Sequence, residues 1–438
     1  MSTNAVQKIP SGRWIHIIPP TILVYIVAFM DRTNIGFAIA GGMDKALGLT
    51  ATFAGLAGGI FFIGYMVLQV PGGMIAERGS AKKFIAWTIV GWGTIATLTG
   101  FVHSAGQLLV MRFLLGVAEG GVWPAILVII AHWFPNEERG RANAFFIMNI
   151  AIANIITGPL SGWILTIWNW RGVFIVEGLL SLALIAIWLP MMSDRPRDAK
   201  WISQAELQYI EGKLRQEEEA VRKDQAGPVS MGTLLANGNI WKLILIYFCY
   251  QTGIYGFSLW LPTILKSLTH MGMGSVGWLS AIPYIGTAIG LYIFASRSDK
   301  SNNRKLYTGL PMIGFAICLL LSVWTKNHIW VSFAFLVGCG VFLQAASPTF
   351  WTIPPLLFTP EVAGGARGII NALGNLGGFL GPYIVGLLTS IAGSNAGIYG
   401  LAVFLALGFL LTLTLPSKVS GKPAADMPSG RVQSQLSH

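Results

Sequence analysis

Charged side chains are what this sequence has least of. Asp, Glu, Lys and Arg together make 11% of the 438 residues while hydrophobic residues make 54%; a soluble domain carries about a quarter charged residues. That scarcity excludes an ordinary water-soluble globule. Cysteine is almost missing as well: Cys249, Cys318 and Cys339 are all there is. All three fall within apolar runs, with no CxxC or Cys/His spacing, so neither disulfides nor a metal centre find support. Histidines are few, and His16, His103, His132, His270 and His328 stand near the ends of apolar runs, where they read as interfacial. No Walker spacing occurs among the 53 glycines. They fit close helix packing and not a phosphate cradle. No nucleophile–base constellation suggests an enzyme, and no cofactor is expected.

What is present is length in the apolar runs. About twelve blocks, from 14–40 to 396–415, can each cross a hydrocarbon core that needs about 20 residues of helix. The expected fold is an all-α membrane protein of twelve transmembrane helices. The net charge of +11 follows the loops. With the N-terminus taken as cytoplasmic, about 22 of the Lys and Arg residues fall in cytoplasmic segments and about 4 outside. The basic excess is thus a topology signal and not a nucleic-acid surface. Both termini are expected on the cytoplasmic side of a plasma (inner) membrane. The first block is too long, and lacks the small-residue site, for a cleavable signal peptide.

Residues 191–239 are the only long polar connection, between bundles at 1–190 and 240–416, with a tail at 417–438. Within it Ser203 and Glu206 fit a capping box, and Leu207, Ile210 and Leu214 share a helix face. An amphipathic helix is expected there, lying on the bundle or on the membrane surface.

The two bundles are related. "GGMIAERGSAKKF" follows the second block and "FASRSDKSNNRKLY" the eighth. In each, an acid (Glu77, Asp299) is followed by bases at +1, +5 and +6: Arg78, Lys82 and Lys83, then Lys300, Arg304 and Lys305. "FPNEERGRANA" is echoed by "TPEVAGGARGIINA", which aligns Arg141 with Arg367. The offsets are about 222–226 residues. Repeats joined by one long loop are the layout of a carrier whose halves rock about a central site.

These loops resemble the signature of the major facilitator superfamily, and "RFLLGVAEGG" matches its Arg-x-x-x-Gly-x-x-x-Gly pattern through Arg112, Gly116 and Gly120. "DRTNIGFA", "FFIGYMVLQVPGG", "RFLLGVAEGGVWPA", "HWFPNEERGRANA", "WRGVFIVEG" and "GNLGGFLGP", in that order, resemble the anion:cation symporter family, over nearly the whole chain. Glu77 and Ser80 depart from the usual Asp and Gly of the first loop. The resemblance implies two pseudo-symmetric six-helix bundles (the major facilitator fold) that import a small organic anion with protons. Its carriers for galactonate, glucarate, tartrate and 2-ketogluconate imply a sugar acid, and "ERGSAKKFI" leans towards the 2-ketogluconate type. Aromatic acids stay open. The charged loops would latch the cytoplasmic gate, and the carrier is expected to work as a monomer in the lipid bilayer.

Inside the blocks, strong charges gather in the first half: Asp31 and Arg32 in block one, Arg112 and Glu119 in block four. Asp31 lies roughly 14 Å from the outer end of its helix, Arg112 roughly 8 Å and Glu119 roughly 18 Å. Arg112 and Glu119 share a face, whereas Arg32 points about 100° away from Asp31. Charge at such depth is costly unless paired or turned to water. Two static salt bridges are one reading. The other makes Asp31 and Glu119 proton carriers, with Arg32 and Arg112 holding a carboxylate through the planar guanidinium fork. The resemblance adds Tyr65 as a hydrogen-bond donor to substrate; Asn149, Trp351, Asn371 and Asn375 are further cavity residues or, alternatively, interhelical hydrogen bonds. Arg171 and Glu177, near the outer end of block six, read as structural. An exporter, a membrane-embedded enzyme and a nutrient sensor are the rival classes. Neither an apolar cargo, a catalytic constellation nor a signalling domain is indicated by these residues.

Overall fold

The computed structural model describes residues 11–223, 235–358, 360–416 and 419. Eleven helices in it are long and apolar enough to cross a membrane. In the first half these are Gly12–Ala46 (span one), Ala51–Arg78 (two), Ala105–Trp133 (four), Asn136–Ile167 (five) and Trp170–Met191 (six). In the second they are Gly238–Thr269 (seven), Met273–Ser301 (eight), Arg304–Trp324 (nine), Ile329–Leu357 (ten), Gly365–Ala392 (eleven) and Ser394–Leu413 (twelve). The remaining span, three, is Ala81–Thr99, 19 residues. Lys82 and Lys83 in its first turn dilute its apolar character, yet it packs on spans four and six like any other. Helix starts are written locally. The side chains of Thr50, Ser80, Ser104 and Asn303 each accept a backbone N–H three residues on, satisfying a donor that the first turn leaves free.

Ser80 has a second duty that accounts for its departure from glycine. Its hydroxyl donates to Asp194, and Asp194 also accepts from the backbone N–H of Lys82 at 2.7 Å. The chain leaving span six therefore caps the start of span three.

The connecting helix, Gln204–Lys223, packs on the first bundle. Ser203 Oγ accepts from the Glu206 N–H at 3.2 Å, but the expected capping box is only half made. The Glu206 carboxylate turns away to the Gly12 and Arg13 N–H groups and to the Arg13 guanidinium, at 3.2, 3.1 and 2.7 Å. Ile210 is fully buried, and Leu214 packs on the same cluster. Lys213–Glu137 and Arg139–Glu217 add ion pairs at 2.7 and 2.9 Å. Trp201 is stacked on both Trp133 and His16. Beside Glu138, the Tyr209 hydroxyl has its pKa raised, first by burial and then by that carboxylate. Residues 224–234 of the linker, and the tail apart from 419, lie outside the described residues.

Among the described residues the halves meet chiefly along three helix pairs: two with eleven, five with eight, one with seven. Small residues permit the approach. A Cβ on Gly59 would stand 2.5 Å from the Phe379 carbonyl oxygen, one on Gly158 2.6 Å from that of Gly277, and one on Gly36 2.5 Å from that of Leu259. Lys266 Nζ donates to the Ala40 carbonyl at 2.6 Å, and Thr52 and Ser390 join their hydroxyls at 2.9 Å. All these contacts lie in the half of the bundle remote from the chain termini. On the same stripes nearer the termini, Val70 is 65% exposed and Tyr292 73%, and a Cβ on Gly368 would meet nothing. The cleft between the halves is thus shut at the far face and open at the terminal face.

Candidate functional site

Span one carries Asp31, Arg32 and Asn34 in its middle, all buried. Three residues return a helix to nearly the same face and one residue turns it by about 100°. Asp31 and Asn34 accordingly face span six, and Arg32 faces spans two and four and the cleft.

Arg112 is fully buried, and its guanidinium is spent on main-chain carbonyls. It donates to Asp31 O at 3.1 Å, Arg32 O at 3.0 Å and Ala57 O at 3.3 Å. Gly116 and Gly120 bring span two close enough for this, since a Cβ at either would strike the backbone of Phe61 or Tyr65. The sequence reading set Arg112 beside Glu119 and towards substrate. In the structure it ties spans one, two and four together and is turned away from the cleft.

Glu119 instead meets Arg32, with Oε2 3.5 Å from Nη2. The pair is loose: Arg32 Nε and Glu119 Oε1 have no hydrogen-bond partner among the described residues. Four rings surround the guanidinium, those of Tyr25, Phe29, Phe61 and Tyr65, at 5.9, 5.3, 5.0 and 4.7 Å from its carbon. Such faces stabilise the cation without using its N–H groups. On its open side Arg32 lines a cleft with Thr33, Phe62, Tyr255 and Ser258. A second cleft, sharing Thr33 and Ser258, adjoins it and is lined among others by Asn154, Thr157, Ser280 and Tyr284. A cation with spare donors, backed by a displaceable carboxylate and bordered by neutral hydroxyls, is equipped to receive a hydroxylated anion.

The other expected residues are spread out. Tyr65 is buried against Arg32. Asn149 is buried where span five breaks, and its amide donates to Phe146 O. Trp351 sits in the break of span ten, edge-on to Tyr247 at 5.0 Å between centroids. Asn371 and Asn375 are bonded to each other at 3.3 Å, and Gln251 of span seven donates to Asn375 at 2.9 Å. Gln251 and Tyr255 escaped the sequence reading, although both are polar groups on an otherwise apolar helix. Arg171 donates to Gly100 O and Val102 O, each at 2.8 Å, a structural tie. Glu177 is fully buried and bonded to Ser161 and Asn34, at 2.7 and 3.1 Å. Ser181 donates to Asp31 from the same helix.

The loop charges stand at the open terminal face. Glu77 is largely exposed, 3.9 Å from His132. Arg78 and Lys83 are exposed and Lys82 half-buried. Asp299 pairs with Arg304 at 2.6 Å inside its own half, Lys300 is exposed, and Lys305 Nζ donates to Leu415 O at 3.1 Å.

A family model described as the Major Facilitator Superfamily matches residues 21–275 and 243–432. A protein of Acinetobacter baumannii named a quinolone resistance transporter is 32% identical over 92% of this chain and 94% of its own. Another, named for tartrate transport in Agrobacterium vitis, is 32% identical over 95% of each. Among solved structures, a bacterial homologue of the human lysosomal transporter Spinster, crystallised inward-facing and unoccupied, superposes with a TM-score of 0.76 at 17% identity, over 95% of this chain and all of that one.

Proposed function

The chain belongs to the major facilitator superfamily, a family of transporters and not of enzymes, and from that premise we propose that it imports a small organic anion together with protons by alternating access. One observation carries this reading. Arg32 lines the cleft, its Nε is unbonded, and its partner Glu119 holds it only at 3.5 Å. An arriving carboxylate competes for the guanidinium and releases Glu119, and a carboxylate that loses its cation in a buried site favours its protonated form. Anion and proton then bind with reciprocal advantage. Asp31 is the second proton carrier. Tyr65 supports the anion beside Arg32, and Asn149, Trp351, Asn371 and Asn375 serve the path towards the terminal face.

The substrate class is a sugar acid, such as an aldonate or 2-ketogluconate. The relative named for tartrate, itself a hydroxylated acid, supports this, as do the neutral hydroxyls lining the cleft with Arg32 and the Asn154 amide of the adjoining cleft. The terminal face is the cytoplasmic one in an inner membrane, so the present state is inward-facing and the carrier acts as a monomer. Glu77 and Asp299, with their bases Arg78, Lys82, Lys83, Lys300, Arg304 and Lys305, latch that face when it closes. Export of a carboxylate-bearing drug is the second reading, favoured by the Acinetobacter relative. Proteoliposomes decide between them. Sugar acids should accumulate inside when the outside is made acidic, with sodium varied independently, and Asp31→Asn or Glu119→Gln should lose that accumulation while retaining counterflow. Accumulation driven by sodium alone, or undiminished in both variants, would refute the proton coupling.

A further inference from the structure

Glu177, which the sequence suggested was structural, sits in a setting that a structural carboxylate does not need. We propose that it is a third proton-holding carboxyl, and that Glu177 and Asp31 take up and release protons as a coupled pair bridged by Asn34.

Both acids are fully buried, and every side-chain partner they have is neutral. Asp31 accepts from Ser181, and from Asn34 Nδ2 at 3.5 Å. Glu177 accepts from Ser161 Oγ at 2.7 Å and from the same Nδ2 at 3.1 Å. No ion pair reaches either carboxylate among the described residues. Each neighbouring helix accounts for this. Span four brings Arg112, whose N–H groups go to three carbonyls, one of them that of Asp31 itself. Span one brings Arg32, which turns to Glu119. Span three has Lys82 and Lys83 only at its other end, and span five has no ionisable residue between 149 and 167. On its own helix, Arg171 is bound to Gly100 and Val102.

The charge sum points the same way. Two guanidiniums, Arg32 and Arg112, share this core with three carboxyls, Asp31, Glu119 and Glu177. One proton brings it to neutrality, and an uncompensated charge in so dry a site is strongly disfavoured. An independent sign lies in the bridge. Asn34 Oδ1 is buried and accepts no hydrogen bond, although it stands between two carboxyls that the amide serves only as a donor. A protonated carboxyl is the donor that position suits: with the amide turned over, its oxygen takes the carboxyl O–H and its NH2 keeps the ionised neighbour. Asn34 can thereby follow the proton from one acid to the other. Acids linked so closely lose their protons in steps that belong to the pair.

This inference rests on the proton coupling proposed above, so its test is made without substrate. Infrared difference spectra of the purified protein across a pH series report the C=O stretch of protonated, unhydrated carboxyls, and the Asp31 band is identified by its loss in Asp31→Asn. Glu177→Gln should remove one further band and move the midpoint of the Asp31 band. Glu177→Asp, which keeps an acid, should restore a second band. Ser161→Ala touches Glu177 and not Asp31, so it should also move the Asp31 midpoint, and it serves where Glu177→Gln fails to fold. An Asp31 band that titrates identically in wild type, Glu177→Gln and Ser161→Ala would overturn the pairing. Failure of pH-driven uptake in the wild type would sink the transport reading and leave these bands as they are.

Discussion

Placing a methyl group on Gly162 should push the carrier out of the state seen here. The residue packs span five against span eight at the closed far face. A Cβ there would stand 2.7 Å from the Met273 carbonyl oxygen and 2.9 Å from Gly277 Cα. Comfortable separations between carbon atoms are about 3.5–4.0 Å, so the spans would have to part by most of an ångström. Backbone atoms are the obstruction, so no rotamer change relieves it. Overpacking of this kind costs about 1–3 kcal/mol, and the cost arises only while the far face is shut. The gain in helix propensity from Gly to Ala, about 1 kcal/mol, applies in both states and cancels. Gly162→Ala should therefore shift the equilibrium towards the far-open state by roughly 5–150-fold. Spin labels at positions 70 and 292, both exposed on the terminal face, in a background lacking Cys249, Cys318 and Cys339, would report this as a growing population of short distances. Gly93→Ala is the control: its clash is with Leu182 inside the first half, so it should lower thermal stability without altering the distances. An unchanged distribution in Gly162→Ala, with growth of short distances in Gly93→Ala, would refute the assignment of the far face as the closed gate.

The two arginines should fail differently. Arg112→Gln leaves up to three buried carbonyls short of a donor, at about 1–3 kcal/mol each, and should chiefly lower the Tm and the folded yield. Arg32→Gln should keep the Tm within a few degrees and abolish anion binding in calorimetry, with Arg32→Lys weakening it because the fork is lost; the reverse pattern would exchange their roles. Asp299→Asn should slow turnover more than it weakens binding, and loss of equilibrium binding with no change in the conformational balance would contradict a latch. For orientation, an impermeant thiol reagent applied to intact cells should label a cysteine at Asn327 and spare one at Lys200. The opposite labelling would invert the topology.

The spans and the linker helix were legible because their signals are local. Long apolar runs, capping residues and a 3.6-residue stripe at Leu207, Ile210 and Leu214 are properties of neighbouring residues. That Asp31, Arg32, Arg112 and Glu119 belong to one buried cluster was legible too, since charge at such depth demands company. Which charge meets which was not. Sequence spacing places Arg112 and Glu119 on one face, but the carbonyls that claim Arg112 come from spans one and two, and only the packing made possible by Gly116 and Gly120 brings them there. The partners of Glu177 were hidden for the same reason: Asn34 and Ser161 lie 143 and 16 residues away. The capping box failed at Glu206 because a buried arginine from another segment outbid the helix's own N–H.

Among the described residues, all the buried ions within the spans belong to the first half. The second contributes Gln251, Tyr255, Ser258, Ser280, Tyr284, Asn371 and Asn375, none of them charged. The two bundles, though built on one repeat, have thus divided into an engine and a fitting. The engine keeps its ionic wiring whatever the cargo, because its charges answer to one another across spans one, four and six. The fitting can be re-tooled, a hydroxyl for a ring or an amide for a methyl, without disturbing that wiring. A change of cargo can in this way be met in one half while the ionic half stays the same.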